Sequence, residues 1–413
     1  VFICVFLSGD DALTLWRGGG LPVKLLLVLL LFAASAWGQE PAGSTPDLLV
    51  VPTPIVGVAL DRVRVWALHD GEWQAIPFQF DRRTADGDWD FALHASPEAA
   101  HRRLTDRDEL VVARADLGET SPPGMVPPGA PKPISFGVPG GGRAYVAIHD
   151  APPTTSPRRW INYDRESDAV VGPGYRLGFD SRRPFVFNEL VWSADPAHED
   201  WIDTGKIRAR GRLIGRFSFV RTQDDFTSRI TGVIDGPVRT IVRTENRVNV
   251  VLGLQSPRGI IDRIHTPEHF VMEILVQLPF NVGWLFQDLA VRSSLDLRPG
   301  AGLTVVCPGL PAATVDGRPT PGEEALMGCP MEGFTIVGPY GAVHGTLRLG
   351  PGFDLRPELF YVDDALDPDP PESDPGHYGE TGVTLTGWEG LGRGDYRMRL
   401  DLSFAATGAG VSR

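Results

Sequence analysis

The chain has 413 residues and a formal charge of -13 at neutral pH, which argues against nucleic acid as a partner, because that affinity rests on basic side chains neutralising phosphates. Its 42% hydrophobic residues are enough to fill a core, and its length suggests two domains or three. The 48 glycines and 37 prolines are too many helix breakers for a helical bundle.

At the amino terminus Lys24 precedes an unbroken apolar run, Leu25 to Phe32, followed by the small residues Ala33 to Ala36 and Gly38. Charged, apolar and small residues in that order are the mark of a secretory signal. The run is too short to cross a bilayer as a stable helix, which takes about 20 residues. Residues 21–38 are therefore expected to be a signal peptide. Residues 1–20 contain Asp10 and Asp11, which a basic leader disfavours, and read as a start codon placed too early. A periplasmic or secreted product follows, with no transmembrane span after residue 39. Removing residues 1–38 leaves the net charge unchanged, since Arg17 and Lys24 balance the two aspartates. Lysine otherwise occurs only at Lys132 and Lys206, so arginine carries nearly all the positive charge, a trait of base composition.

From residue 39 to about 155 short apolar runs alternate with turns, and the spacing predicts a small barrel-like β-domain. Val63, Val65 and Ala67 alternate with Arg64 and Trp66, and His69-Asp70-Gly71 turns the chain into a second strand, Trp73 to Phe80. Pro77 places that strand at an edge or introduces a bulge. Further strands are predicted at Glu109 to Ala113 and at Ala144 to His149, and a helix only at Pro97 to Arg103. The Pro- and Gly-rich stretch from Ser121 to Gly142 reads as a loop within this domain.

From 156 to 413 the predicted strands are longer. Tyr175 to Phe179, Phe185 to Trp192, Lys206 to Arg212, Arg216 to Arg221, Arg229 to Ile234, Val238 to Arg243 and Arg247 to Leu254 each carry β-branched or aromatic residues at alternate positions, and the series continues to Tyr396 to Phe404. Strands at this spacing without helical periods predict a large β-sandwich. The fold class expected is all-β.

Three short motifs in the first half, Ile76-Pro77-Phe78-Gln79-Phe80-Asp81, Asp108-Glu109-Leu110-Val111 and Asp116-Leu117-Gly118, resemble a module of exported bacterial β-proteins whose function is unknown. In outline this half is similar to the small barrel that precedes the sandwich of rhamnogalacturonan-lyase-like proteins. The second half, with Tyr175 to Phe179 and Asp235-Gly236-Pro237-Val238-Arg239, resembles the supersandwich of galactose-mutarotase-like proteins. The likeness implies a fold and transfers no catalytic residue.

Four groups of residues are candidates for chemistry. His265-Thr266-Pro267-Glu268-His269 places two imidazoles four positions apart, but Pro267 breaks the helix that a metal site would need, and the segment reads as a loop. With Arg263 and Glu268 it offers a base and a carboxylate-neutralising cation, the parts a polysaccharide lyase uses. Trp192, Asp195, His198 and Trp201 bring aromatic rings beside acids, as a sugar platform does, but a solvated loop whose tryptophans anchor it to the core is the favoured reading. Asp363, Asp364, Asp367, Asp369, Glu372, Asp374 and Glu380 gather hard oxygen ligands in a proline-stiffened stretch with no local cation, which would suit Ca²⁺, and otherwise form a solvated acidic loop. Cys307 and Cys329 remain after export and are expected to form a disulfide. No other cofactor is called for. The sequence thus points to recognition or scaffolding at the cell envelope, with an unidentified glycan or protein as partner, and to a lyase-type enzyme as the alternative.

Overall fold

In the computed structural model, the described residues are 45–406 apart from 97, 131, 151–157, 252–253, 329–330, 332 and 367–378. The first strands form two small sheets. Asp108–Ala113 lies between Leu48–Pro52 and Gln79–Arg82, while Val63–His69 and Arg143–Ile148 are flanked by Glu72–Ala75 and Ile134–Gly137. Val63, Val65 and Ala67 point from one sheet toward Leu110 and Val112 of the other, with Ile76, Phe80, Ala144 and Val146 completing a core. Alternation with period two thus turns one side of each strand into this core, while the other side of Asp108–Ala113, with Val111 and Ala113, is buried as well. The predicted strand Trp73 to Phe80 is divided in two. Pro77 lacks the amide that a ladder needs, so Glu72–Ala75 ends as an edge and Gln79–Arg82 restarts in the facing sheet. A helical turn, Ala99–His101, lies inside the predicted Pro97 to Arg103, and a further helix precedes it at Phe91–Ala95, where Asp90 caps it by accepting from the Leu93 amide at 3.0 Å.

The remaining strands make three sheets. A four-stranded sheet runs in the order Arg183–Trp192, Tyr175–Asp180, Ala169–Val171, Asn162–Asp164. A five-stranded sheet runs in the order Phe217–Thr222, Ile202–Leu213, Phe286–Leu297, Gly379–Thr386, Arg356–Asp363. The ten-stranded sheet includes Thr240–Val251, Gly259–His265, His269–Leu278, Gly394–Ala406 and Gly341–Leu349 as consecutive neighbours. Adjacent strands are antiparallel, as in the hairpin pairing of His265 with Phe270 and Gly259 with Val276. One large core, containing Tyr175, Phe179, Phe187, Trp192, Trp201, Phe270, Phe334, Phe353, Trp388 and Phe404, is shared by these sheets. The architecture is all-β, and among the described residues no helix is long and apolar enough to cross a membrane.

The small sheets and the sandwich belong to one compact unit, residues 43–413, and two apolar clusters cross the seam. Leu48, Val111 and Ala113 pack with Val238 and Trp160, and Trp89 and Phe91 pack with Ile234, Ile241, Ile264 and Val271. Between them lies a buried polar clamp built from the motifs that carry the resemblance. Gln79 accepts from the amides of Val238 and Arg239 at 3.0 and 2.9 Å, and its own amide donates to both carboxylate oxygens of Asp81. Arg239 donates to Asp81 at 2.7 Å and also to Glu109, while its guanidinium sits 4.9 Å from the Trp89 ring centre. Asp108 is neutralised separately by Arg82, at 2.8 Å, and by Arg102. Gln79, Asp81 and Glu109 of these motifs therefore hold two parts of one fold together, and their polar side chains are used up in doing so.

Candidate functional site

The candidate residues of the histidine segment do not form a loop. His265 ends the strand Gly259–His265, His269 begins the strand His269–Leu278, and only residues 266–268 turn between them. His265 is fully buried against Phe179, edge to face at 5.6 Å, and Phe270 at 4.8 Å. Neither ring nitrogen has a hydrogen-bond partner among the described residues, and burial with the nearby Arg263 cation holds its pKa well below the usual imidazole range. Arg263 is likewise fully buried. It makes a paired contact with Asp168 at 2.7 and 3.1 Å and lies 3.9 Å over Phe179. Glu268 is fixed through its amide to Asp47, and His269 stands 4.0 Å from the same carboxylate. His265 and Arg263 are thus sealed from any polymer, because the alternation of the strand turns them inward, while His269 is half-buried and Glu268 exposed.

The sugar platform expected at Trp192 and Trp201 is corrected in the same way. The rings are 1% and 2% exposed, 5.4 Å apart, and packed in the large core. Trp192 is seated over Gly341, where any Cβ would fall 2.5 Å from the indole, so the strand opposite must carry glycine. Asp195 is buried and accepts from the amides of Ala197 and Glu199 at 2.9 Å, ordering the loop, and His198 is exposed on that loop. Asp200 of the same loop accepts from the Leu190 and Ile202 amides, and burial pushes its pKa up to about 6.

In the acidic segment, Asp367, Asp369, Glu372 and Asp374 lie outside the described residues. Asp363 is buried and accepts from the amides of Asp316 and Gly317, while Asp364 accepts from Leu366 at 2.8 Å. Glu380 is on a different strand, facing Ser294 and Lys206, whose Nζ is 2.9 Å from Asp296 and 3.5 Å from Glu380. Among the described residues no group of three His, Cys, Asp or Glu side chains is placed to share an ion. Cys307 is buried beyond the strand Thr304–Val306, and Cys329, its expected partner, lies outside the described residues.

An open pocket lies elsewhere, where the small sheets meet the sandwich. It has a volume of about 350 Å³ and is lined by His69, Gln74, Ile76, Pro77, Asp116 and Arg158, with Ala75 and Ala115. His69 closes the strand Val63–His69, and Gln74 to Pro77 supply an apolar wall where Pro77 has ended the edge strand. Asp116 sits on a single helical turn, Arg114–Asp116. Gly118 follows two residues later because the Leu68 backbone passes where a Cβ would be, only 2.2 Å from its carbonyl oxygen. Trp160 donates through its indole to Asp116 at 2.5 Å, and Arg158 bonds the other carboxylate oxygen at 3.2 Å while lying 3.7 Å over the Trp160 ring. The Trp160 amide donates to Pro237 O, which ties this arrangement to the sandwich. Burial raises the pKa of Asp116, and the indole and the guanidinium oppose that rise. The site offers an apolar wall, an imidazole, a carboxamide and a half-exposed guanidinium oriented by a carboxylate, which is the makeup of a pocket for a small polar ligand. Of these residues Ile76, Pro77 and Asp116 stand in motifs that the sequence singles out, and His69 in a predicted turn, but nothing in those motifs marks them as neighbours. The others come from separate stretches with no common spacing.

No family model matches the chain, and no curated protein matches it in sequence. Among solved structures it is similar to an α-mannosidase from Enterococcus faecalis V583, at 10% identity and a TM-score of 0.46, over 94% of this chain and 46% of that one. It is also similar to a protein in the glycosyl hydrolase family 38 from Enterococcus faecalis, at 11% identity and a TM-score of 0.43, over 88% and 39% of the two chains. A galactose mutarotase-like protein from Lactobacillus casei ATCC 334 matches at 10% identity and a TM-score of 0.26, over 57% of this chain and 99% of that one. The chain spans less than half the length of the two Enterococcus proteins, and at this degree of overlap the likeness carries no argument about chemistry.

Proposed function

We infer that the protein is an extracytoplasmic recognition protein that binds a glycan in the pocket at the seam. The observation that carries this reading is the join of the Ile76–Pro77 wall to Gln74, His69 and the Arg158–Asp116 pair around one open volume of about 350 Å³. A sugar ring has an apolar face that suits the wall, and hydroxyls that suit a carboxamide, an imidazole and a guanidinium. Binding here needs no general base, which fits the burial of His265 and Arg263.

Calorimetry against a panel of envelope and plant-cell-wall oligosaccharides tests the reading. A ligand should emerge whose affinity drops about tenfold in Gln74→Ala and in His69→Ala, the loss of one or two hydrogen bonds each. If every ligand found binds these variants as it binds the wild type, the pocket is not the site.

The location is tested by the mass of the protein in the envelope fraction, which should start near Gln39. A Cys307–Cys329 bridge is expected in that form, and thiol counting after denaturation without reductant should find none free. The acidic segment is expected to take Ca²⁺, raising the thermal midpoint relative to chelator, with the rise abolished when Asp367, Asp369 and Glu372 are replaced together by amides.

A further inference from the structure

Between Asp203 and Asp224 the sequence contains Lys206, Arg208, Arg210, Arg212, Arg216 and Arg221 and no acidic residue, in a chain whose overall charge is -13. The structure folds this stretch into the hairpin Ile202–Leu213 and Phe217–Thr222, at the edge of the five-stranded sheet. Lys206 and Arg208 are buried near its base, and Arg210, Arg212 and Arg216 are exposed toward its tip. Arg212 pairs with Asp288, whereas Arg210 and Arg216 have no ion pair among the described residues. The tip is also apolar. Ile214 and Phe217 are each 62% exposed, Val220 is 58% exposed, and Trp284, on the neighbouring turn Val282–Trp284, is 72% exposed. That turn is joined to the hairpin where Ile214 N donates to Leu285 O at 2.7 Å.

The turn itself is costly. Arg216 N bonds Leu213 O, and the two central residues have positive φ, 51° at Ile214 and 65° at Gly215. This is the geometry in which Asn-Gly is favoured, and a β-branched residue at the first position is strained. Among the described residues Ile214 gains no burial that would offset the strain. An isoleucine kept in a strained, exposed position points to something outside the chain that covers it.

We propose that this hairpin tip is a docking surface for an anionic lipid bilayer. The occupant is identified by two features together. Exposed arginines without local acids meet negative headgroups, and Trp284, Phe217, Val220 and Ile214 enter the boundary between headgroup and acyl chain, where aromatic rings are favoured. An acidic polysaccharide would satisfy the arginines but would leave the aliphatic Ile214 and Val220 in water. Docking at the tip is separate from the pocket at Asp116, so neither reading depends on the other.

The test is sedimentation of the full chain with vesicles of phosphatidylcholine alone and of phosphatidylcholine mixed equally with phosphatidylglycerol. All variants carry the same amino-terminal segment, so differences between them report the tip. Binding should require phosphatidylglycerol, weaken about tenfold in Trp284→Ala and about fivefold in Arg216→Gln, and fall with salt. Ile214→Asn is the decisive variant, since it suits the turn and should hold or raise the thermal midpoint while weakening vesicle binding severalfold. Vesicle binding that these three variants leave unchanged would overturn the proposal, and so would absence of binding to the mixed vesicles. Binding to polygalacturonate with no binding to vesicles would overturn it in favour of an acidic polymer, and a dimer in solution that Trp284→Ala dissociates would assign the tip to a second copy instead.

Discussion

Arg239, with no exposed surface, donates through Nε to Asp81 at 2.7 Å, so a guanidinium of the sandwich is neutralised by a carboxylate of the small sheets that precede it. The second oxygen-bearing partner, Glu109, comes from the adjacent strand, and Gln79 holds the Arg239 backbone. The pairing decides how the two parts of the unit are set, because a buried charge tolerates little displacement from its partner.

Asp81→Ala is therefore expected to cost about 3–5 kcal/mol, the penalty for leaving a buried cation without one of its partners. Replacing the pair with apolar residues, Asp81→Leu with Arg239→Met, should cost much less than the single change. Urea unfolding of both variants checks this. If Asp81→Ala unfolds at the wild-type midpoint, the clamp contributes nothing to stability.

His265 makes the fold sensitive to acid. In the unfolded chain the imidazole titrates near 6.5, and in the native state it remains neutral to well below that pH. Below about pH 6.5 the unfolded state binds the extra proton, so stability declines as pH falls through this window. His265→Phe keeps the ring contacts with Phe179 and Phe270 and removes the titration, so its stability should be flatter between pH 7 and pH 5 and higher than wild type at the acid end. Denaturant midpoints at the two pH values measure the difference. Equal slopes for wild type and variant would show that His265 is not the source.

Asp200 acts in the opposite direction. Its native pKa of about 6 lies above the ordinary 3.8, so the native state holds a proton that the unfolded state has released, and stability declines as pH rises between these values. Asp200→Asn retains an acceptor for the Leu190 and Ile202 amides and should be more stable than wild type above pH 6, by on the order of 1 kcal/mol after allowance for partial exposure. Thermal unfolding at pH 4 and pH 7 tests it, with the two proteins converging at the lower pH.

The two core tryptophans are expected to matter for stability and not for ligand. Trp192→Ala should cost about 3–5 kcal/mol, and Gly341→Ala should be comparably disruptive because its methyl group would enter the indole. Any glycan affinity that survives in folded Trp192→Phe should match the wild type. A selective loss of glycan affinity in that variant, at unchanged stability, would return the platform to Trp192.

The sequence by itself determined the all-β class, because alternation and turn chemistry are local and repeat along the chain, as in Val63, Val65 and Ala67 before His69-Asp70-Gly71. It also picked out Gln79, Asp81, Glu109, Asp116 and Arg239, through short motifs, but could not say what they do. That Gln79 and Asp81 meet Arg239 some 160 positions later is decided by sheet packing, which no local pattern records. The same limit explains why the site readings at His265, Trp192 and Trp201 could not be decided in sequence. Their residue types are compatible with a site, and only the packing around them, inward in each case, makes them core, as the favoured reading of the two tryptophans had it. The pocket at Asp116 was hidden for the converse reason, since it is assembled from segments far apart in sequence, and at the tip, one hairpin joined only by Trp284 from elsewhere, what was hidden is its exposure. Exposure is a property of what packs nearby, so only the tertiary structure separates an isoleucine in the core from one held at the tip of a hairpin in water.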